Sequence, residues 1–356
     1  GTLRLGRHRS PLRHPQQEDL RVPEPKIRVL ESFQAPRKTT NPYITMLFNA
    51  LGQTCEVQAF TWKEALRGDF NVFHVHWPEV LLASARPTRR AARRVAFGLL
   101  LARIKSKRIA VVRTMHNLKP HETPSRIDAW LLNRLDRLTT AWIRLNPMTD
   151  PGGRDDVTTI LLGHYLDWFD SVPDLAAEPN RIVNFGLIRP YKGVVELVGA
   201  FHSCADPELR LIVMGRPSTP ELESEIRQSA AGDERITLSL EHVDDDDLAR
   251  EVKRSTLVVL PHHNMHNSSS LLLALSLDRP ALVPRTEVTE AVADEVGEGW
   301  VYLYDSEITP EAIESSVTAS HSARRSPHPD LSGRSWDKVA DAHVAVFKRA
   351  LAKVRS

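Results

Sequence analysis

The chain has 356 residues, 41% of them hydrophobic, and its formal net charge is +2 at pH 7. This length predicts two domains, and the small net charge gives no reason to expect a nucleic-acid partner. The longest apolar runs are about half of what a bilayer span requires, and the first residues lack a signal-peptide pattern. Cys55 and Cys204 are isolated, which fits a reducing compartment with neither a disulfide framework nor a zinc site.

In chain order, the first predicted unit is a flexible arm, because residues 1–25 are basic, rich in proline and without periodicity. Residues 26–172 then alternate between strand and helix patterns, which predicts a mostly parallel sheet. The predicted strands of this N-terminal domain include KIRVLESF, NVFHVHWPE and RIAVVRTMHNL, and DVTTILLGH leads to a further strand-like run. The stretch NPYITMLFNALGQTCEV predicts a helix followed by a turn and a strand, and residues 126–142 predict another helix.

The strand–helix alternation starts again at residue 180 and continues to residue 330, which predicts a second doubly wound domain. Its predicted strands are RIVNFG, LRLIVMG, ERITLSL, TLVVLP and PALVP. The acids Asp244–Asp247 suit the start of a solvated helix better than a metal cluster. Residues 331–356 form an amphipathic helix that is predicted to pack back toward the N-terminal domain.

Polar and cationic residues follow three strands of the second domain, at the edge where open parallel sheets bind ligands. Arg189 and Lys192 follow the first strand, Gly215 the second, and the segment Asn267–Ser269 precedes a helix whose free amides suit an anion. The simpler interpretation is that the cations are solvated and that the serines only cap the helix. Taken together, these residues favour a site for a diphosphate or a nucleotide.

The motifs NFGLIRPYKGVVELVGAF, LRLIVMG and NSSSLLLALSLDRPALVP resemble the donor-binding domain of GT-B glycosyltransferases. The order of these motifs over residues 181–301 is similar to that in glycosyltransferase family four. In the first half, HVHWPE and TMHNLKPHE resemble the acceptor domain of bacterial β-mannosyltransferases of exopolysaccharide assembly. The resemblance implies two Rossmann-like domains facing a cleft, with a nucleotide sugar bound by the second domain.

Two departures from the family pattern affect the expected stereochemistry. Retaining members carry two glutamates around the strand–helix junction, whereas the corresponding positions, counted back from Pro280, are Met265 and Leu273. The arginine that usually follows the glycine of the first strand is replaced by Leu187, with Arg189 two positions further on. The resemblance therefore implies an inverting enzyme.

An inverting transferase needs a base on the acceptor hydroxyl and a stabiliser of charge on the leaving diphosphate. The cleft implied by the family fold is faced by the strand ends of the first domain, which offer Glu122, Glu79 and His116 as catalytic candidates, in that order. Hydrogen-bonded structural histidines are an equally good interpretation. On the acceptor side of the cleft we expect the following four residues: Asn41, Tyr43, His76 and His121. The spacing of His74 and His76 suits a metal, but no third ligand is evident, so we expect no metal and no cofactor other than the nucleotide-sugar co-substrate.

Residues 80–121 contain eleven lysines and arginines and no acid. Five of the arginines fall on one helical face by three-and-four spacing and are expected to face a membrane: Arg86, Arg89, Arg90, Arg93 and Arg94. Such a helix, followed by the apolar run VAFGLLLA, can lie on an anionic bilayer surface. A solvated basic face is the alternative.

These observations predict a glycosyltransferase that moves a hexose from a nucleotide sugar to a lipid-linked or oligosaccharide acceptor in exopolysaccharide or glycolipid synthesis. By resemblance, the first guess for the donor is GDP-mannose. We expect a cytoplasmic location, peripheral on the inner face of the membrane. The alternatives are a retaining transferase using a UDP- or GDP-sugar, and a non-catalytic scaffold that binds a sugar nucleotide or polysaccharide.

Overall fold

The computed structural model describes residues 26–37, 40–116, 124–263 and 265–356. The arm predicted over residues 1–25 lies outside the described residues, as do His121 and Glu122. Within them, each half of the chain forms one parallel sheet flanked by helices, which confirms the predicted α/β class.

The first sheet has six parallel strands in the order β2-β1-β3-β4-β5-β6. Their bounds are β1 (Arg28–Glu31), β2 (Glu56–Gln58), β3 (Val72–Val75), β4 (Ala110–Met115), β5 (Thr139–Arg144) and β6 (Val157–Thr159). The helices of this domain are α1 (Pro42–Gly52), α2 (Trp62–Arg67), α3 (Pro78–Leu82), α4 (Pro87–Lys107) and α5 (Arg126–Leu138).

Alternation along the strands divides the core of this domain into two faces. Phe73 and Val75 of β3 belong to the apolar cluster that also contains Phe97 of α4 and Leu131 of α5. Val72 of the same strand belongs to the cluster on the other face, with residues of α1. His74 and His76 continue the register of Val72 and therefore lie on the face of α1.

The second sheet also has six parallel strands, in the order β12-β11-β10-β7-β8-β9. Their bounds are β7 (Arg181–Phe185), β8 (Arg210–Met214), β9 (Ile236–Ser239), β10 (Leu257–Val259), β11 (Ala281–Pro284) and β12 (Val301–Tyr304). The helices are α6 (Val194–His202), α7 (Pro220–Ser229), α8 (Asp245–Arg254), α9 (Ser269–Ser276), α10 (Glu287–Val296) and α11 (Pro310–Ser322). Three short 3₁₀ turns cover Leu166–Trp168, Pro190–Lys192 and Ser332–Arg334.

The last helix, α12 (Trp336–Arg355), returns to the first domain, as the sequence predicts. The Trp336 ring lies 5.8 Å from the Tyr43 ring of α1, and its indole N–H donates to the carbonyl of His164 over 2.7 Å. Further along α12, the Lys353 ammonium lies 2.6 Å from the Asp156 carboxylate. The helix therefore completes the face of the first sheet that carries His74.

The helix predicted over residues 126–142 ends earlier in the structure. Helix α5 stops at Leu138, and Thr139 begins strand β5, which the sequence reading missed. The β-branched pair Thr139 and Thr140 favours the extended backbone, and no glycine or proline separates the helix from the strand. The acidic run behaves as predicted, since Asp244 precedes α8 and Asp245–Asp247 occupy its first turn.

Candidate active site between the two sheets

A hydrogen-bonded cluster of a carboxylate and three imidazoles lies at the strand ends of the first sheet. Glu31 ends β1, and its two oxygens lie 3.0 Å from Nδ1 of His74 and 3.1 Å from Nε2 of His76. Nδ1 of His76 lies 2.8 Å from Nε2 of His116, and Nε2 of His74 lies 2.9 Å from the Thr114 hydroxyl. The cluster therefore has two arms that share one carboxylate.

Burial and mutual contact set the charge states in this cluster. Burial alone would raise the pKa of Glu31, but the neighbouring His74 and the hydrogen bonds from both imidazoles lower it to about 2. Burial and the neighbouring His74 lower the pKa of His76 to about 4, and burial and the neighbouring histidines hold the pKa of His116 well below its usual value. At neutral pH, Glu31 is thus an anion, and His76 and His116 are uncharged.

Glu31 was missed by the sequence reading, and so was the arm through Thr114. Ligand atoms of Glu31, His74 and His76 lie within 4.8 Å of one another. Glu31 is thus a third side chain of a metal-binding type beside the two histidines, which the sequence analysis did not identify. The ring nitrogens of both histidines already have hydrogen-bond partners, with donors and acceptors that match without an ion. We therefore treat the cluster as a hydrogen-bonded network. The signal available in the sequence was a single acid at the end of a predicted strand, in the same domain as a strand that ends in HVH.

The other first-domain candidates occupy different environments. Tyr43 is buried at 3% exposure, and its ring lies 5.7 Å from the His116 ring, whereas Asn41 is exposed and caps α1 by accepting from the Tyr43 amide. His76 is also buried, so it lies behind His116. Glu79 sits in the first turn of α3, where its charge acts on Arg113, a residue whose strand register places it on the opposite face from His116. Glu122 and His121 lie outside the described residues.

In the second domain, Arg189 and Lys192 lie in the loop that follows β7. Lys192 ends a single 3₁₀ turn, and Gly193 follows it with a φ of 64°. A Cβ at Gly193 would lie 2.1 Å from the carbonyl oxygen of Pro261, in the loop after β10. A Cβ at Gly215, which follows β8, would likewise lie 2.1 Å from the carbonyl oxygen of Gly186. The glycines thus bring three strand-end loops together.

Lys192 has no anionic partner among its contacts in the described residues. Burial and the positive charge of Arg189 lower the pKa of its ammonium to about 8. Beside it lies His262, whose pKa falls to about 3 through burial and the nearby Lys192. The Nε2 atom of His262 is buried and lacks a hydrogen-bond partner in the described part of the chain. This region is therefore electropositive and short of acceptors, which suits a diphosphate.

The segment Asn267–Ser269 joins the two domains. The Asn267 amide donates to the carbonyl of His116 over 2.9 Å and accepts from Asn146 over 2.6 Å, while the Ser268 hydroxyl caps α9. Their side chains are thus already engaged. Ser270, which was not predicted, lies closer to the glycine loop, with its hydroxyl oxygen 3.9 Å from where a Cβ of Gly186 would be.

The two positions that hold glutamates in retaining members carry apolar side chains, and both of these side chains pack in or against the core. Met265 is buried at 4% exposure in the core, and Leu273 packs against the same cluster. No carboxylate reaches the donor loops from either position.

The basic face predicted around α4 is partly engaged in the structure. Arg86, Arg89 and Arg90 are exposed, but Arg94 pairs with Asp128 of α5 at 2.8 Å. Phe97, Leu100 and Leu101 of the apolar run behind them pack into the domain core, whereas Val95 and Leu99 are exposed. In the described residues, no helix combines the length and the apolar character that a membrane crossing demands.

Comparison of the sequence with known proteins identifies the family of the chain. The chain is 42% identical over 329 residues to a GDP-mannose:glycolipid 4-β-D-mannosyltransferase of Xanthomonas campestris pv. campestris, covering 92% of this chain and 94% of the relative. The corresponding protein of a second X. campestris pv. campestris strain matches equally well. The chain belongs to the family of these mannosyltransferases. No family model matches the chain.

Solved structures agree on the architecture. The catalytic domain of starch synthase IV from Arabidopsis thaliana superposes with a TM-score of 0.63 at 10% identity, covering 92% of this chain and 99% of the other. The glycosyltransferase AviGT4 of avilamycin A biosynthesis gives a TM-score of 0.59 at 15% identity, with the same coverage. Anabaena HepE in complex with UDP gives 0.57 at 13% identity, covering 92% of this chain and 97% of HepE. The protein is thus a glycosyltransferase with the GT-B fold.

Proposed function

We propose that the protein transfers mannose from GDP-mannose to a glycolipid with inversion at the anomeric carbon, giving a β-mannoside. The observation that carries the proposal is the 42% identity, across 92% of the chain, to an enzyme named for this donor and linkage. The apolar residues Met265 and Leu273 support it, because no carboxylate is positioned there to assist a retaining reaction.

The donor diphosphate lies in this proposal against Lys192, Arg189 and the loop of Gly186. These groups stabilise the charge that develops on the diphosphate as the bond to the sugar breaks. His262 provides a further hydrogen-bond partner, since its buried Nε2 atom is otherwise unpaired in the described residues. The acceptor lies against the first domain, where His116 and Trp77 stack with ring centroids 4.1 Å apart.

Product stereochemistry tests the reaction. Purified protein is incubated with GDP-mannose labelled with ¹³C at the anomeric carbon and with a bacterial glycolipid extract, and UDP-glucose serves as the comparison donor. We expect label in the organic-solvent fraction from GDP-mannose only, with the one-bond C–H coupling of a β-mannoside. A coupling typical of an α-mannoside would contradict inversion, and transfer from UDP-glucose alone would contradict the donor.

We also place the protein on the inner face of an anionic membrane, with the first domain toward the lipid. Five of the nine large apolar side chains exposed in the described residues lie on α3, α4 and α5: Val80, Val95, Leu99, Ile127 and Trp130. The exposed arginines before and within α4 add attraction of about 1 kcal/mol each near an anionic leaflet. Because α3 directly follows Trp77, the lipid of an acceptor in the membrane lies close to the cleft.

Vesicle co-sedimentation tests this orientation. We expect binding to vesicles that contain phosphatidylglycerol, weak binding to phosphatidylcholine vesicles, and partial release by salt, which screens charge but leaves the apolar contribution. Replacing Arg89 and Arg90 with serine should abolish most of the binding. The matched control is Arg94→Ser, since Arg94 is paired with Asp128 and should matter little for binding. Equal sedimentation of the double variant and the parent would contradict the proposal.

A further inference from the structure

We propose that Glu31, His76 and His116 form a proton relay in which His116 accepts the proton of the acceptor hydroxyl. Glu31 and His76 act as positioning residues that hold His116 in the tautomer that can accept it. The inference rests on the proposed function, because it requires an acceptor hydroxyl in the cleft beside His116.

The hydrogen bonds assign the tautomers. An ionised carboxylate only accepts, so His76 donates to Glu31 through its Nε2–H over 3.1 Å. A neutral His76 then has its lone pair on Nδ1, which accepts from the Nε2–H of His116 over 2.8 Å. The lone pair of His116 is consequently on Nδ1, the ring nitrogen that does not face His76. That nitrogen is the base.

The environment of His116 fits this role. Glu31 and His76 have no exposed side-chain surface, whereas His116 is only partly buried and is the member of the relay nearest the second domain. Its ring is stacked on Trp77, and its carbonyl accepts from Asn267, which belongs to the loop before α9. The base is therefore fixed in orientation at the point where the acceptor domain meets the donor domain.

The proposed step balances as follows. The acceptor oxygen attacks the anomeric carbon of mannose as the bond from that carbon to the diphosphate oxygen breaks, and GDP leaves with the electron pair. The hydroxyl proton passes to Nδ1 of His116. The Nε2 proton of His116 moves to Nδ1 of His76, which becomes an imidazolium paired with the Glu31 carboxylate. The positive charge is thus held in a buried ion pair until release of the proton to solvent restores the relay.

The second arm of the cluster provides an internal control. His74 contacts the same carboxylate, at 3.0 Å from Glu31, but its other nitrogen meets the buried Thr114 hydroxyl and leads to no cleft residue. Thr114→Val therefore disturbs a hydrogen bond at equal depth without touching the relay. A purely structural cluster would respond alike to changes in either arm.

The first experiment compares Glu31→Gln and Thr114→Val with the parent protein, using GDP-mannose and the glycolipid extract. We expect kcat to fall by about 100-fold in Glu31→Gln, because His116 is no longer held in the tautomer in which it acts as a general base, with little change in the Kd of GDP. For Thr114→Val we expect kcat to stay within about threefold of the parent, although both variants lower the melting temperature. Equal losses of kcat in the two variants would overturn the relay.

The pH profile of kcat distinguishes a positioning role of Glu31 from a purely structural role. Several titratable groups face the relay from the elements around it: Tyr43 of α1, His74 of β3 and His343 of α12. Removing the Glu31 anion makes the imidazole pair hold a proton less tightly, so the acid limb should move to lower pH in Glu31→Gln. It should not move in Thr114→Val. An unmoved limb in Glu31→Gln would contradict the inference.

Chemical rescue addresses His116 itself. Added imidazole should restore part of the activity of His116→Ala, because it replaces the missing base in a partly open site, and it should restore none in Glu31→Gln. Rescue of neither or of both would overturn the assignment.

A readout without turnover keeps the test independent of the proposed substrate. Long-range ¹H–¹⁵N spectra of the parent protein at neutral pH should show His76 and His116 both protonated at Nε2. An Nδ1–H tautomer at His116 would overturn the relay, as would a stoichiometric metal ion that the purified parent holds and Glu31→Gln loses. An inactive parent with the expected tautomers would instead count against the proposed function alone.

Discussion

The polar groups at the strand ends of the two sheets differ in whether they are paired with one another. In the first sheet, Glu31, His74, His76 and His116 satisfy one another through contacts of 2.8–3.1 Å. In the second, Lys192 has a depressed pKa and His262 has a buried nitrogen without a partner in the described residues. In the first region the carboxylate and the three imidazoles are paired with one another without a ligand, although the neighbouring Tyr43 hydroxyl and His343 Nε2 atom lack partners in the described residues. In the second region the cation itself lacks an anionic partner, which a bound anion would supply.

This difference separates two tasks within the same fold. A proton acceptor must be held in one tautomer before the substrate arrives, which requires a satisfied network. A diphosphate site must instead keep its positive charge unpaired, at a cost in the free protein that the ligand removes. Donor binding should therefore stabilise the second domain strongly, and changes there should affect ligand affinity more than changes in the first domain.

The strongest test of the comparison is Lys192→Met, which removes the charge and keeps much of the volume. We expect turnover to fall by about 100-fold, the scale of losing one stabiliser of developing charge, together with weaker GDP binding. The measurements are steady-state kinetics and calorimetry with GDP.

Lys253→Met is the matched control for this change. Lys253 is also poorly exposed and lies in the second domain, but its ammonium is paired with the carbonyl of Val172 over 3.0 Å. The control should lose stability and keep GDP affinity. If Lys253→Met weakens GDP binding as much as Lys192→Met does, the unpaired charge of Lys192 is not what binds the donor.

The second test concerns the backbone that brings the donor loops together. Gly193→Ala places a Cβ 2.1 Å from the Pro261 carbonyl, at a φ of 64°. We expect a loss of about 2 kcal/mol or more in the free energy of unfolding, from left-handed backbone strain and overpacking. Urea denaturation measures it.

Gly199→Ala, six positions along in α6, is the control for this substitution. A Cβ there meets no atom within 4 Å. Because alanine favours the helix interior over glycine, it should raise stability by about 0.5–1 kcal/mol. A gain in stability in Gly193→Ala similar to that in Gly199→Ala would show that the close approach of the loops requires no glycine.

The sequence predicted the layers of the fold better than it predicted the site. Strands bounded by glycine, proline or polar residues, such as RIVNFG, were placed correctly, because local chemistry marks their ends. Strand β5 was missed because it follows α5 without a break at Thr139. Strand β12 was missed as well, since its aromatic run VYLY is short and only partly buried.

The relay was half visible in the sequence. The sequence indicated HVH and His116 as candidates, because His74 and His76 are two positions apart and so share one face of a strand. His116 follows the next predicted strand of the sheet. Glu31 was not indicated, because its partners are 43 and 45 residues away and only strand order places β1 beside β3. Asn267 was read as a phosphate-side cap, since nothing local shows that its amide reaches His116 across the domain boundary. Pairing between distant segments is what a single sequence leaves undetermined.

The smallest expected effect is the pH dependence of donor affinity. Lys192 has a pKa of about 8 in the free protein, through burial and the charge of Arg189. A bound diphosphate favours the protonated form and raises this pKa, so affinity is constant below the free value and falls as pH rises through it. The Kd for GDP-mannose should therefore rise about fourfold from about pH 7 to about pH 8.5, where roughly a quarter of Lys192 remains protonated. His262, with a pKa of about 3, stays neutral over this range. The control is Lys192→Met, in which the Kd should be higher and independent of pH. A pH-independent Kd in the parent would mean that Lys192 is already paired, and the contrast between the two sheet ends would then be wrong.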